Sequence, residues 1–173
     1  MKFAVCAGHG GGAPGVVAQG VNEADVAVWL RDSVAANLRA MGHTVSVDSS
    51  ALMRNLPLAK SIMLVPGTDA AIELHCNGAI NTGATGVEVL SKLKDKARAQ
   101  ALAQAIAGAI GLPLRGDKGW QDQSISPHGT LGFVQAGGLI VEVFFLTNPK
   151  DWAAYQQNRW RVAGAISDAL TKF

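Results

Sequence analysis

The sequence predicts an α/β protein: a single-domain, three-layer sandwich with a mixed, mostly parallel sheet of about six strands and helices on both faces. Short apolar runs typical of buried strands alternate with segments in which apolar residues recur every three or four positions, as in amphipathic helices. The 173 residues suit one hydrophobic core and are too few for two comfortable domains. We therefore expect one catalytic or binding domain that covers residues 1–173.

Six segments have the composition of strands, with apolar or β-branched residues between turn-forming ones. In chain order they are residues 2–7, 43–48, 69–76, 86–90, 129–134 and 139–145. We expect the fifth at an edge of the sheet and the sixth in its centre.

The predicted helices are recognised by their periodicity and by their ends. Asn22 and Asn148 are suited to cap a helix N-terminus, and Pro149 fits a first turn. Gly42 and Gly111 stand where two helical patterns stop. The predicted helices cover residues 23–41, 52–64 and 94–110 and a C-terminal segment that starts at residue 149.

Composition and charge exclude several classes of protein. Apolar residues make up 49% of the chain and charged residues 16%, and the net charge is only +2, without a basic cluster, so we expect no nucleic-acid partner. No apolar run approaches the ~20 residues that span a membrane, so we expect no membrane insertion. Residues 3–7 are too few for the core of a signal peptide, which predicts synthesis in the cytoplasm.

Glu142 is a carboxylate in the middle of the otherwise apolar segment "LIVEVFF". Burying an ionised carboxylate without a partner costs several kcal/mol or more. One explanation is a buried ion pair, with Arg115 as the obvious partner. The other, which we favour, is catalysis, because a purely structural ion pair could be replaced by apolar residues at little cost.

Three further residues fit one site. His9 follows the first predicted strand and His75 closes the third, so parallel strands would place both at the same edge of the sheet. Glu23 opens the helix between them. Two imidazoles and a carboxylate are a ligand set of catalytic zinc, with a fourth position left for water. Each residue alone also has a structural explanation, as a loop histidine, a core histidine or a first-turn acid.

The loop after the first strand offers a rival interpretation. Gly8, Gly10 and Ala13 have the spacing G-x-G-x-x-A, and Asp48 ends the second predicted strand, which together imitate a dinucleotide-binding fingerprint. The helix would have to begin within these glycines, whereas "GGGAPG" is not helical. A Rossmann-like nucleotide-binding protein stays an alternative. Elsewhere, Trp120 in a polar loop is a candidate substrate contact, and His128 is expected on the surface.

The chain resembles the zinc-dependent N-acetylmuramoyl-L-alanine amidases of the amidase 3 type. The resemblance rests on "AGHGG", "NEADVA", "IELHCN", "GVEVL", "RGDKG" and "LIVEVFFLTNPKD", which occur in the family's order over nearly the whole chain. It implies that His9, Glu23 and His75 bind one Zn²⁺ ion and that Glu142 is the catalytic acid and base. Asn77 and Arg115 lie in matching motifs and become candidate substrate contacts.

The resemblance also implies a reaction and a partner. The substrate would be peptidoglycan, and the bond the amide between N-acetylmuramic acid and the L-alanine of the stem peptide. We expect a monomer that acts on the cell wall or periplasm after release, either as a phage or prophage endolysin, which would first reside in the host cytoplasm, or as the catalytic part of an autolysin. A non-catalytic peptidoglycan-binding module and a zinc peptidase that cuts within the stem peptide are further alternatives.

Overall fold

The strands of the computed structural model, which describes residues 1–126 and 129–173, form one six-stranded sheet and one small hairpin. In chain order the strands are β1 (Lys2–Ala7), β2 (Val17–Ala18), β3 (Val21–Asn22), β4 (Thr44–Val47), β5 (Ala70–Asn77), β6 (Glu88–Ser91), β7 (Trp120–Asp122) and β8 (Leu139–Phe145). The sheet has the order β4-β1-β5-β8-β6-β7, and β2 pairs with β3. All neighbours in the sheet are parallel except β6 and β8.

Helices cover both faces of the sheet, as the sequence predicts. The helices are α1 (Glu23–Ala40), α2 (Leu58–Ile62), α3 (Lys96–Ile110), α4 (Gly132–Gln135) and α5 (Pro149–Leu170), with short 3₁₀ turns at Leu93–Asp95 and Gln123–Ile125. The three long helices pack on one face and bury the larger core, whereas α2 and α4 cover a smaller apolar cluster on the other. The result is a three-layer α/β sandwich.

The helix ends follow the local chemistry of the sequence. The Oδ1 atom of Asn22 accepts a hydrogen bond from the Asp25 amide at 2.8 Å, and Asn148 caps α5 in the same way. Gly111, at φ +80°, ends α3 in the left-handed conformation that glycine adopts without a steric penalty. These three predicted helix ends are confirmed.

One predicted element is wrong, and another is shorter than predicted. Residues 129–134 form no strand; residues 132–135 are the short helix α4, because Phe133 and Val134 bury their side chains together against the sheet face instead of pairing at its edge. The strand that completes the six-stranded sheet is β7, which the sequence does not predict. The helix predicted over residues 52–64 shrinks to α2, because the backbone before Pro57 is disfavoured in a helical conformation.

Because of the strand directions, the ends of β1, β5, β8 and β6 that matter for the site lie at the same end of the sheet. The carboxyl ends of β1, β5 and β8 lie at this end because the three strands are parallel. The amino end of β6 lies there as well because β6 runs antiparallel to β8. No helix of the described residues is long and apolar enough to span a bilayer.

A buried ion pair fixes the carboxyl end of β1. Asp48 is fully buried and its carboxylate accepts hydrogen bonds from the Ala7 amide, from the Ser61 hydroxyl and from Arg31, whose side chain is 2% exposed. The contact ties β1 to α1, to α2 and to the segment that follows β4. The start of the next loop, at Gly8, is thereby held in place.

We expect Asp48→Ala to destabilise the protein by roughly 3 kcal/mol, because removing one partner of a buried ion pair leaves the other charge desolvated. Asp32 also pairs with Arg31, which keeps the loss at the lower end of the usual range. Urea unfolding monitored by circular dichroism measures the change. The control is Asp168→Ala, which removes an exposed aspartate and should change the free energy of unfolding by less than about 0.5 kcal/mol. Equal changes in the free energy of unfolding for the two substitutions would contradict a stabilising role of the buried ion pair.

Candidate metal centre

The sheet edge brings together three of the residues that the sequence singles out. One side-chain ligand atom from each of His9, Glu23 and His75 lies within 4.8 Å of the others. His9 Nε2 is 3.0 Å from one oxygen of Glu23, and His75 Nδ1 is 3.0 Å from the other. Two imidazoles and one carboxylate therefore converge on one point.

Two glycines give the imidazoles their space. The ring of His75 packs directly against Gly8, where a Cβ atom would collide with it. Gly15, at φ +66°, lies against both Glu23 and His9, and a Cβ there would approach each of them to 2.6 Å. His9 itself adopts a φ of +61°, which is uncommon for a residue with a side chain and directs its ring back towards α1.

Glu23 is the most enclosed member of the cluster, at 2% exposure. Its carboxylate accepts hydrogen bonds from the Val16 amide at 3.0 Å and from the Cys76 amide at 2.9 Å, in addition to its contacts with both histidines. Burial alone would raise the pKa of Glu23, but the hydrogen bonds with His75 and His9 outweigh burial and lower it. Glu23 is therefore a fixed anion.

His75 lies between two carboxylates. Its Nδ1 atom faces Glu23, and its Nε2 atom is 3.2 Å from Glu73. Burial alone would lower the pKa of His75, but the hydrogen bonds with Glu23 and Glu73 outweigh burial and raise it well above the ordinary value. In the absence of a metal ion, the two carboxylates stabilise a proton on the imidazole ring, which then carries a positive charge.

Glu142 stands beside this cluster, directly opposite His75 in the pairing of β5 with β8. Its Oε2 atom is buried and has no hydrogen-bond partner among the described residues. Burial raises the pKa of Glu142 to about 7; the charge of His75 opposes this shift, and the charges of Glu23 and Glu88 add to it. A carboxyl group with this pKa can both accept and donate a proton near neutral pH.

Arg115 is not the partner of Glu142. Its Nε atom donates to Glu88 at 2.9 Å, and its guanidinium group lies over the ring of Phe145. Asn77 also donates to Glu88, at 2.6 Å. Two candidate substrate contacts thus meet on one buried carboxylate next to Glu142, because Glu88 pairs with Glu142 across β6 and β8.

Trp120 is placed elsewhere. It opens β7, its indole Nε1 donates to Ser91, and Lys96 lies over its ring. It does not line the pocket that contains the three-residue cluster. His128, the other residue that the sequence places in a nearby loop, lies outside the described residues.

The cluster and Glu142 line one pocket of about 540 Å³ that is open to solvent. One wall comes from the loop before β2 and from α1, and the opposite wall includes Leu131 and Phe133 beside β8. A pocket of this size leaves room beside the cluster for a ligand of small-molecule size.

Sequence reasoning missed Glu73, Glu88 and Gly15, and it considered Gly8 only as part of a dinucleotide-binding fingerprint. Glu73 had a readable signal: it stands two residues before His75 in a strand, and residues at that spacing face the same side of a sheet. The roles of the two glycines depend on contacts between distant segments, which the sequence does not display.

A family model for N-acetylmuramoyl-L-alanine amidases of the amidase 3 type matches residues 4–172, almost the whole chain. The chain belongs to this amidase family. The prediction of an amidase that hydrolyses the amide between N-acetylmuramic acid and L-alanine in peptidoglycan is thereby confirmed at the level of the family. Comparison with curated proteins finds no match.

Solved structures agree with the amidase fold. A candidate N-acetylmuramoyl-L-alanine amidase of Neisseria meningitidis is 38% identical, with a TM-score of 0.89 over 99% of this chain and 94% of that one. The catalytic domain of CwlV from Paenibacillus polymyxa is 21% identical, with a TM-score of 0.81 over 99% and 97% of the two chains. The catalytic domain of an endolysin that targets Clostridium difficile is 23% identical, with a TM-score of 0.74 over the same shares. The last two likenesses concern the fold alone.

The dinucleotide-binding alternative fails on geometry. In that motif the N-terminus of the helix faces a phosphate, whereas here the hairpin β2–β3 separates the glycines from α1. The first turn of α1 is capped by Asn22 and carries the anion Glu23 at the site. A phosphate there would meet a fixed negative charge.

Gly15→Ala should weaken the binding of a divalent ion by at least about tenfold, because the new methyl group displaces Glu23 and His9 from their contact. Isothermal titration calorimetry with zinc measures the change. Gly20→Ala is the matched control: Gly20 has a similar φ of +75° but no atom within 4 Å of the added Cβ, so it carries the backbone strain without the collision. If both variants lost zinc affinity equally, backbone strain and not the collision with Glu23 and His9 would explain the loss.

Glu142→Gln should stabilise the metal-free protein much more at pH 8 than at pH 5. The pKa of Glu142 is higher in the folded state, about 7 against 4.5, so ionisation weakens folding as the pH rises through this window. At about 1.4 kcal/mol per pH unit, the gain at pH 8 reaches at most about 3 kcal/mol. Urea unfolding of chelator-treated protein at both pH values measures it. A gain that does not depend on pH would contradict the shifted pKa.

Proposed function

We propose that this amidase is zinc-dependent and that Glu142 is its catalytic acid and base. The observation that carries the proposal is the convergence of His9, Glu23 and His75 beside Glu142 in one open pocket. This geometry and membership of the family support the proposed zinc ligands and the proposed role of each residue.

The donor set fits zinc. Imidazole nitrogen and carboxylate oxygen are ligands of catalytic zinc sites, which commonly use two histidines and one glutamate and leave a position open. Glu23 already carries the negative charge that a dication requires, since its pKa is lowered. His9 is partly exposed, with 31% of its side chain accessible, so an ion can enter from the pocket.

A bound zinc ion would polarise the carbonyl group of the substrate and lower the pKa of an attacking water molecule towards ~7. Glu142 accepts the proton of this water and then delivers it to the nitrogen of the departing L-alanine. Its unpartnered Oε2 atom and its pKa near 7 suit both steps. Without the second proton transfer the amine would have to leave as a strongly basic anion.

Asn77 and Arg115 are the proposed contacts for the stem peptide or the lactyl group. Both are held by Glu88; Asn77 lines the pocket, and the side chain of Arg115 is 38% exposed. Trp120 remains a weaker proposal because its indole nitrogen is already bound to Ser91. The proposed place of action is the peptidoglycan layer, where the enzyme works as a single domain and a monomer.

Product analysis of digested peptidoglycan tests the proposal. New amino termini are labelled and identified, and new reducing sugar ends are counted, with and without a chelator. New N-terminal L-alanine without new sugar ends, abolished by the chelator and restored by zinc, supports the proposal. New amino termini at other residues would indicate a peptidase. If zinc-loaded protein produced no new ends in the peptidoglycan, only a binding module would remain.

Glu142→Gln should lower kcat by about 10² to 10⁴, the usual contribution of a general acid–base group, because glutamine cannot carry the proton. Zinc content measured by atomic absorption should stay at the wild-type value, since Glu142 is not part of the ligand cluster. A variant that loses zinc together with activity would show that Glu142 serves the metal and not the proton transfer.

A further inference from the structure

Glu73 is a buried carboxylate that the proposed reaction does not use. It is 5% exposed and lies in the middle of β5, where a buried strand position usually carries an apolar residue. No lysine or arginine of the described chain pairs with it. The ion pair and hydrogen bond of its carboxylate join it to His75, at 3.2 Å.

The two ring nitrogens of His75 have separate partners. Nδ1 is 3.0 Å from Glu23 and so faces the ligand cluster, whereas Nε2 faces Glu73. Glu73 stays outside the group of ligand atoms formed by His9, Glu23 and His75. The carboxylate of Glu73 therefore contacts the imidazole from the side away from the cluster.

Strand geometry makes this arrangement rigid. Glu73 and His75 are two residues apart in β5, so both side chains project from the same face of the sheet. Gly8, the residue directly after β1, packs against the imidazole ring and leaves it little room to turn. The ring plane and the position of each nitrogen are thus determined by β5 and by the start of the loop after β1.

We propose that Glu73 is a positioning residue for metal binding: it accepts a hydrogen bond from Nε2–H of His75 and thereby keeps the lone pair of Nδ1 directed at the metal. This inference rests on the proposed zinc site. A neutral histidine carries one ring proton, and the hydrogen bond made by one nitrogen decides which nitrogen remains free to bind a metal.

The hydrogen bond has two consequences for the ion. The carboxylate selects one tautomer of His75 and removes the entropy cost of orienting the ring. It also makes the imidazole a stronger donor, because its negative charge stabilises positive charge on the ring. Partners of this kind contribute about 10- to 100-fold to metal affinity in other proteins.

The test compares zinc affinity in three variants, measured by competition with a chromogenic chelator at constant pH. Glu73→Ala should weaken zinc binding about 10- to 100-fold. Glu73→Gln should lie between Glu73→Ala and wild type, because its amide oxygen still accepts from Nε2–H but carries no charge. Glu88→Gln is the matched control: it removes another buried glutamate near the site that does not contact His75, and should change the affinity less than about threefold.

The absorption spectrum of the cobalt-substituted protein is a second readout. A shift of the visible bands in Glu73→Ala, with unchanged bands in Glu88→Gln, indicates altered geometry at the ion. Circular dichroism and urea unfolding verify that each variant is folded. Equal zinc affinity of Glu73→Ala and wild type would overturn the inference, and so would equal losses in Glu73→Gln and Glu88→Gln, which would reflect charge alone.

Failure of this inference is separable from failure of the proposed function. If wild-type protein binds zinc and releases N-terminal L-alanine while the Glu73 variants bind zinc normally, only the role of Glu73 is wrong. If wild-type protein binds no zinc, or cleaves equally well after chelator treatment, the proposed zinc centre itself is wrong.

Discussion

The carboxylate of Glu23 is the contact on which the site depends. It joins the loop after β1 through His9 and the Val16 amide, and it joins β5 through His75 and the Cys76 amide. Three parts of the chain therefore share one buried anion. Because this anion lies in the first turn of α1, the positive end of the helix dipole adds to its stabilisation.

The sequence predicts the candidate site residues because each occupies a position that can be recognised locally. His75 closes an apolar strand, Glu23 follows a capping asparagine, and Glu142 interrupts an apolar run. Their meeting follows from the parallel order of the strands. What the sequence does not show is contact between distant segments, such as the fit of Gly15 against Glu23, since a glycine in a loop has many possible reasons.

Errors in the predicted fold have the same origin. Phe133 and Val134 have high strand propensity. Packing both side chains on the apolar face of the sheet is more favourable than pairing at its edge, so tertiary packing overrides the propensity. Glu142 was assigned a possible partner in Arg115, which instead binds Glu88. Choosing among nearby carboxylates requires the register of β6 against β8, and register is not readable from composition.

The reversed direction of β6 separates the candidate site from a stretch of chain that can vary. Because β6 enters the sheet antiparallel to β8, the chain leaves β5 and returns at the same end of the sheet, so residues 78–87 join the two strands without crossing a face. Residues 84–87 are fixed by hydrogen bonds to Asn148, Asp151 and Pro113. Ile80, by contrast, is fully exposed, and none of residues 78–87 belongs to the candidate ligand cluster. The exposed part of this connection can therefore vary in length while the strand pairing and the candidate site stay intact.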